Sequence, residues 1–413
     1  MLKDAVGAPP AASTSARHAS ALYAHFVVTV AFLDTMAQLP LLSPFAASLG
    51  AGAATVGVIL GAYSLVNMIG NVAAGPVIDR AGRRVTIAGG MLIAGAALAA
   101  YALVRTPGQL LLLRLAHGAG GALLIPAVFA WMGDRARTGS VGRTMGYAGA
   151  AVAVAAMIGP AIGGIGRDLL GARPVFLGIG TLLCLTAVST LFYVRDAAAL
   201  RPAAEDDRGA GRSAGPAPLR TRKAAIAAVL AVLGNRHLRY AYWSVFGLTF
   251  AMGVLAYTFP LTMDRAGFSA GRTGAFFSVF AAAAILVLVL PANRLSDRFG
   301  RRPLIVAGSL AVAIALAFLP VAHTTASIAA LMALYGIGYG TLFPSACAIV
   351  VDETSSANRG TAFGLFYAAF SLGVTVGPVA AGIVAGAGLP PYWLAAALLV
   401  AIRLALPAAD RPG

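Results

Sequence analysis

Charge is scarce in this 413-residue chain: only 11% of its residues are Asp, Glu, Lys or Arg. A soluble globular domain carries about 25%, so a fold that faces water on all sides is excluded. Acid is scarcest, with 14 Asp and Glu against 30 Lys and Arg. Cysteine is nearly missing. Cys184 and Cys347 both fall inside apolar runs, which excludes a disulfide framework and a thiolate metal site. No GxxxxGKS or GxxxxGKT sequence occurs, so the phosphate cradle of nucleotide-driven machines is absent. The first twenty residues hold Lys3, Asp4 and Arg17 without an apolar core, and no cleaved signal peptide is expected.

What is present is hydrophobic. Apolar residues make up 59% of the chain, and the mean hydropathy is +0.85. Long apolar blocks recur from Leu22 to Leu406, each near the roughly 20 residues a helix needs to cross a bilayer. Gly, Pro and charge punctuation divide them into twelve expected spans: 22–46, 55–75, 85–104, 108–131, 144–166, 174–194, 240–262, 274–292, 303–322, 326–350, 361–387 and 389–407. The chain reads as an all-α polytopic membrane protein. Its formal charge of +16 sits in short segments between spans, so it reads as a topology signal and no nucleic-acid partner is expected.

Of the 30 basic residues, 23 fall on the side of the two termini and five on the other: Arg105, Arg167, Arg173, Arg265 and Arg272. The positive-inside rule therefore puts both termini in the cytoplasm. The expected division is a tail over 1–21, a six-span half over 22–194, a linker over 195–239, a second six-span half over 240–407 and a tail over 408–413. Within the linker, Ala224 to Leu233 is apolar but too short to span, and reads as an interfacial helix.

The two halves repeat. Moving 218 positions along carries Asp79, Arg80, Gly82, Arg83 and Arg84 onto Asp297, Arg298, Gly300, Arg301 and Arg302. The same step carries Gly118, Gly120, Pro126 and Asp134 onto Gly336, Gly338, Pro344 and Asp352, and Gly159-Pro160 onto Gly377-Pro378. Parallel repeats of this kind place a binding site between the halves near the midplane.

Asp34 is the one acid inside an expected span, and a carboxylate in lipid costs enough to make it a functional candidate by default. At about 1.5 Å per residue it lies roughly 18 Å from the inner face, and Arg114 roughly 21 Å. The two are expected at similar depth, with Arg114 compensating the carboxylate. Gln38 sits one turn beyond Asp34; Ser64, Asn67 and Asn71 form a polar stripe on span 2. Tyr335, Tyr339 and Phe343 stripe span 10, and Phe363, Phe366, Tyr367 and Phe370 stripe span 11. Facing a cavity, they would suit lipophilic compounds, including cations drawn to aromatic faces. Arg403, near the end of span 12, is expected to snorkel to the interface.

Gly75-Pro-Val-Ile-Asp79-Arg80-Ala-Gly82-Arg83-Arg84 resembles the cytoplasmic loop motif of the major facilitator superfamily, and the likeness extends over essentially the whole chain. It implies twelve helices in two homologous six-helix bundles that rock about a central site. It also implies gating by ionic contacts between the halves at Asp79 and Arg83, with Asp297 and Arg301 as the repeat copy and Gly75 allowing close packing.

The runs around Gly159-Pro160 and Gly377-Pro378 resemble a motif of exporting members, whose prolines and glycines let helices bend and seal. Leu113-Arg114-Leu-Ala-His117-Gly118 resembles the helix 4 motif, with His117 in place of the usual Gln. Asp34 through Pro44 resembles the helix 1 signature of antiporters. The resemblance implies a proton-coupled transporter rather than an enzyme, with Asp34, Arg114 and His117 at the proton site. It further implies a small-molecule substrate, a bacterial inner-membrane location, no cofactor and a monomer. Export of lipophilic compounds is the leading expectation, and proton-coupled import of a small metabolite the alternative.

Overall fold

The computed structural model describes residues 14–135, 141–194, 229–289, 300–355 and 358–406. Ten of its helices are long and apolar enough to cross a membrane, an eleventh span is a bent pair, and Pro391–Ala405 adds a shorter apolar helix of 15 residues. Span 1 is Thr14–Ala37 followed by Leu42–Ser48. Spans 2 to 6 are Ala53–Ala81, Arg83–Ala100, Pro107–Arg135, Val141–Leu170 and Ala172–Tyr193. Spans 7 to 12 are Arg236–Arg265, Ala270–Val289, Arg301–Phe318, Thr325–Asp352, Arg359–Gly386 and Pro391–Ala405. Several helices overrun the apolar blocks, because a helix leaving hydrocarbon can continue where polar side chains are solvated. Of the expected interfacial helix, residues 229–233 are helical and the rest lies outside the described residues, as do Asp297 and Arg298.

The repeat is reproduced in detail. Helices start at Arg83 and Arg301, at Pro107 and Thr325, and at Val141 and Arg359, each pair 218 positions apart. Gly82 and Gly300 hold φ of 80° and 82° before spans 3 and 9, a conformation open to glycine at little cost. Arg83 bonds Asp134 at 3.0 Å and Arg301 bonds Asp352 at 3.2 Å, stapling spans 3 to 4 and 9 to 10. In each half two glycines bring these spans into backbone contact, Gly90 against Gly120 and Gly308 against Gly338. Close approach of this kind is how helices gain contact in lipid, where hydrophobicity draws none together.

The main contacts between the halves are span 2 with span 11 and span 5 with span 8, and the repeat turns each into the other. Both are tight at the face opposite the loop motif. Gly57 lies against the Pro378 carbonyl and Gly61 against that of Thr375; Gly164 lies against Ala270 and Gly274 against Pro160. Polar bonds reinforce this far face: Arg167 to Asp264 at 2.8 Å, Tyr257 to the Ala53 carbonyl at 3.1 Å, and Asp168 accepting from the Ala270 and Gly271 amides at 2.9 and 2.7 Å.

At the motif face the interfaces part. A side chain added at Gly75, Gly146, Gly360 or Gly364 would meet nothing within 4 Å, and the hydrogen bonds described there stay within one half. The halves are closed at the far face and open at the motif face.

Candidate functional site

Span 1 breaks where its sequence requires it. Pro40 has no amide hydrogen to donate, and the residue before a proline avoids the α conformation. The helix stops at Ala37 and resumes at Leu42 after a bend of 47°. Gln38 caps the broken end: its amide nitrogen donates to Asp34 Oδ1 at 2.8 Å and to the Asp34 carbonyl at 3.0 Å.

Asp34 faces the interior of the first half. It is 2% exposed, Gln38 2%, Arg114 7% and His117 0%, so none of the four points at lipid. Asp34 Oδ2 lies 2.7 Å from His117 Nε2, and His117 Nδ1 lies 3.1 Å from the Tyr101 hydroxyl. Arg114 meets Asp34 through Gln38 rather than by a direct bond. Arg114 Nη1 donates to Gln38 Oε1 at 3.1 Å, while its Nε and Nη2 donate to the Ile59 and Leu60 carbonyls at 3.2 and 3.1 Å. The helix 1 break accounts for this, because Gln38 is left between carboxylate and guanidinium and serves both. Tyr63 completes the enclosure, with the guanidinium carbon 5.0 Å from its ring centroid and the His117 ring edge-on at 4.9 Å.

This network has an anion, a cation and a titratable imidazole, all hydrogen-bonded, drawn from spans 1 to 4. Each carboxylate oxygen of Asp34 has its own neighbour in this cluster, Gln38 at Oδ1 and His117 at Oδ2. Tyr101 and Tyr63 were not among the expected residues. Tyr63 lies one turn before Asn67 and extends the polar stripe, so helical spacing could have found it. Tyr101 follows span 3 and meets His117 only through folding.

Several expected cavity residues lie elsewhere. Gln38 belongs to the buried network. Tyr335 and Phe366 are fully buried in the second half, where span 10 packs on spans 8 and 9 and aromatic edges interlock: Phe280 with Tyr335 at 5.3 Å and Phe343 with Phe366 at 5.9 Å. Tyr339 and Phe343, stacked at 5.9 Å and 12°, are partly exposed, as is Phe370, 6.0 Å from Phe343. Asn71 is exposed and donates to the half-buried Asn67 at 2.9 Å.

Arg403 does not snorkel freely. Its Nη2 donates to Ser244 at 2.8 Å and its guanidinium carbon lies 4.7 Å from the Tyr240 ring centroid, tying span 12 to span 7.

The expected gating residues divide by face. Arg83 holds Asp79 at 3.1 Å and Asp134 at 3.0 Å, all within the first half; Arg80 is exposed. The motif therefore makes no ionic contact between halves among the described residues, and Gly75 is not closely packed: a side chain there would meet nothing within 4 Å. The proline motifs are closely packed: Gly159 against Met36 and Ala37 of span 1, Gly377 against Phe250 of span 7, and Pro160 and Pro378 against spans 8 and 2.

The family model described as Major Facilitator Superfamily matches residues 24–290 and again 242–409. An uncharacterized MFS-type transporter of Methanocaldococcus jannaschii is 22% identical over 373 residues, 87% of this chain and 90% of that protein. Multidrug resistance protein 2 of Bacillus subtilis is 23% identical over 279 residues, 67% of each. Among solved structures, a bacterial homologue of the human lysosomal transporter Spinster, described as inward-facing and unoccupied, superposes with a TM-score of 0.74 at 19% identity, covering 95% of this chain and 93% of that one. A repeated six-span half, a matching overall fold and a family model that reaches nearly end to end lead to one assignment: the chain belongs to the Major Facilitator Superfamily.

Proposed function

We propose that this protein is a proton-coupled antiporter that exports small lipophilic compounds by alternating access, with the motif face toward the cytoplasm. The observation that carries the reading is the Asp34–His117 contact. One acid at mid-depth, with a titratable partner at 2.7 Å, is a compact proton carrier enclosed by one half of a two-half machine. With the termini inside, as the basic-residue asymmetry implies, the open motif face corresponds to an inward-open state. Protons would load Asp34 when the far face opens and leave it to the cytoplasm. A single acid implies about one proton per cycle, and a self-contained repeat pair needs neither cofactor nor second subunit. The name of the Bacillus subtilis relative, Multidrug resistance protein 2, supports drugs as cargo.

The test uses everted membrane vesicles. An applied inside-acid gradient drives accumulation by an exporter, whereas a proton-coupled importer of a small metabolite does not respond in that direction. Asp34→Asn is expected to abolish gradient-driven transport while substrate exchange partly survives; unchanged gradient-driven transport in that variant would remove Asp34 from the mechanism.

A further inference from the structure

The buried network is already electrically complete. Asp34 supplies one negative charge and Arg114 one positive charge, and each side-chain polar atom of the two has a partner. Asp34 Oδ1 is held by Gln38 and Oδ2 by His117, while Arg114 is spread over Gln38, the Ile59 carbonyl and the Leu60 carbonyl. The groups packed around His117 are Asp34 from span 1, Tyr63 from span 2, Tyr101 after span 3 and Arg114 on its own helix. Among them one carboxylate balances one guanidinium. With Asp34 only 2% exposed and Arg114 7%, no carboxylate is offered to a ligand at mid-depth. A cation entering here would bring an uncompensated charge into a medium where isolated charge is expensive.

What the cleft offers instead can be located from the seal. Gly61 of span 2 lies against the Thr375 carbonyl of span 11. Moving from that contact toward the open face, Asn67 is six residues down one helix and Phe370 five down the other, about 9 and 7.5 Å at the helical rise. The two sit at matching depth just beneath the seal. Asn67 carries the amide ladder to Asn71 at 2.9 Å, and Phe370 leads into the Phe343 and Tyr339 stack. At that depth the first half carries a neutral amide pair and the second an aromatic stack.

We infer that the substrate is an uncharged aromatic compound bearing a hydrogen-bonding group, bound between the Asn67–Asn71 amides and the Phe370–Phe343–Tyr339 stack rather than on Asp34. The inference rests on the transport reading above and adds a consequence to it. If an uncharged molecule leaves while one proton enters, each cycle carries one positive charge inward, and the exchange is electrogenic. One charge across 100 mV is worth about 2.3 kcal/mol, a roughly fifty-fold change in the accumulation ratio at tenfold per 1.4 kcal/mol. Exchange of a monovalent cation for one proton would be indifferent to potential.

The test takes the full chain, purified and reconstituted in liposomes, with a matched pair of probes: quinoline carboxamide, uncharged, and its permanently cationic N-methylquinolinium counterpart. Equilibrium binding is read by tryptophan fluorescence, and transport by substrate-dependent proton movement under potassium diffusion potentials set with valinomycin. The uncharged member is expected to bind at least tenfold more tightly and its steady-state gradient to follow potential at roughly fifty-fold per 100 mV. Asn67→Asp, which places a free carboxylate on the cleft wall, is expected to raise quinolinium affinity tenfold or more. Tighter binding of the cation by the unaltered protein, with accumulation blind to potential, overturns the substrate class and leaves proton-coupled transport standing. The expected charge preference in binding without any substrate-dependent proton movement overturns the transport reading and leaves the binding preference standing.

Discussion

The two halves share a backbone and differ in chemistry, and the contrast is sharpest at matching positions. Tyr101, Arg114 and His117 of the first half stand where the second has Leu319, Met332 and Tyr335, each 218 positions on. The turns that carry Tyr101 and Leu319 are the same short 3-10 helix. Leu319, Met332 and Tyr335 are all buried. The first half therefore encloses a charged, hydrogen-bonded network, and the second an aromatic and aliphatic core in the same cavity of the fold. Backbone packing is kept by glycines in both, so the repeat constrains shape and leaves chemistry free. One half encloses charged and hydrogen-bonding side chains, the other aromatic and aliphatic ones.

That comparison can be broken most severely by moving one residue across it. Arg114→Met gives the first half its repeat counterpart and leaves Asp34 without a compensating cation. It is expected to cost about 3–5 kcal/mol, read as a lowered unfolding midpoint in detergent. Adding Asp34→Asn should recover much of the loss, because the uncompensated charge goes with it. If the double variant is as unstable as the single, Arg114 acts through packing alone.

Smaller effects are expected where the halves agree. Gly90→Ala and Gly308→Ala each drive a methyl group into the backbone of the neighbouring helix, near Gly120 and Leu124 in one case and Gly338 and Leu342 in the other. Each should cost about 1–3 kcal/mol, and the two thermal shifts should match. A large difference between them would mean that the halves do not share one packing scheme.

The smallest change is expected at Tyr335→Phe. The Tyr335 hydroxyl is buried with no hydrogen-bond partner, so deleting it removes an unsatisfied group and should leave stability within about 0.5 kcal/mol or raise it slightly. A clear loss of stability or of transport would show that the second half uses this position as the first uses His117.

Much of the architecture was legible in the sequence. Apolar run length, the asymmetry of basic residues and the fixed offset together gave twelve spans in two matching halves, and the helix starts at Arg83 and Arg301 reproduce that offset. The site was legible in part. Depth counting put Asp34 and Arg114 at one level, and the helix 4 likeness drew attention to His117. Their partners were not legible: the carboxylate meets the imidazole, and the guanidinium reaches the carbonyls of Ile59 and Leu60, which no side-chain pattern can announce. Tyr335 and Phe366 share an aromatic spacing with Tyr339 and Phe370, and only packing separates buried from accessible.

By itself, then, the sequence determined what each helix is made of, how deep each residue lies and that the fold is doubled, because hydropathy, rise per residue and repetition are properties of one dimension. Which group satisfies a buried charge, which glycine meets a neighbouring carbonyl and which face of the molecule is shut were decided by the tertiary structure alone. Those depend on the rotation and tilt of helices about one another. In lipid that choice is made by small residues and polar contacts between helices distant in the chain.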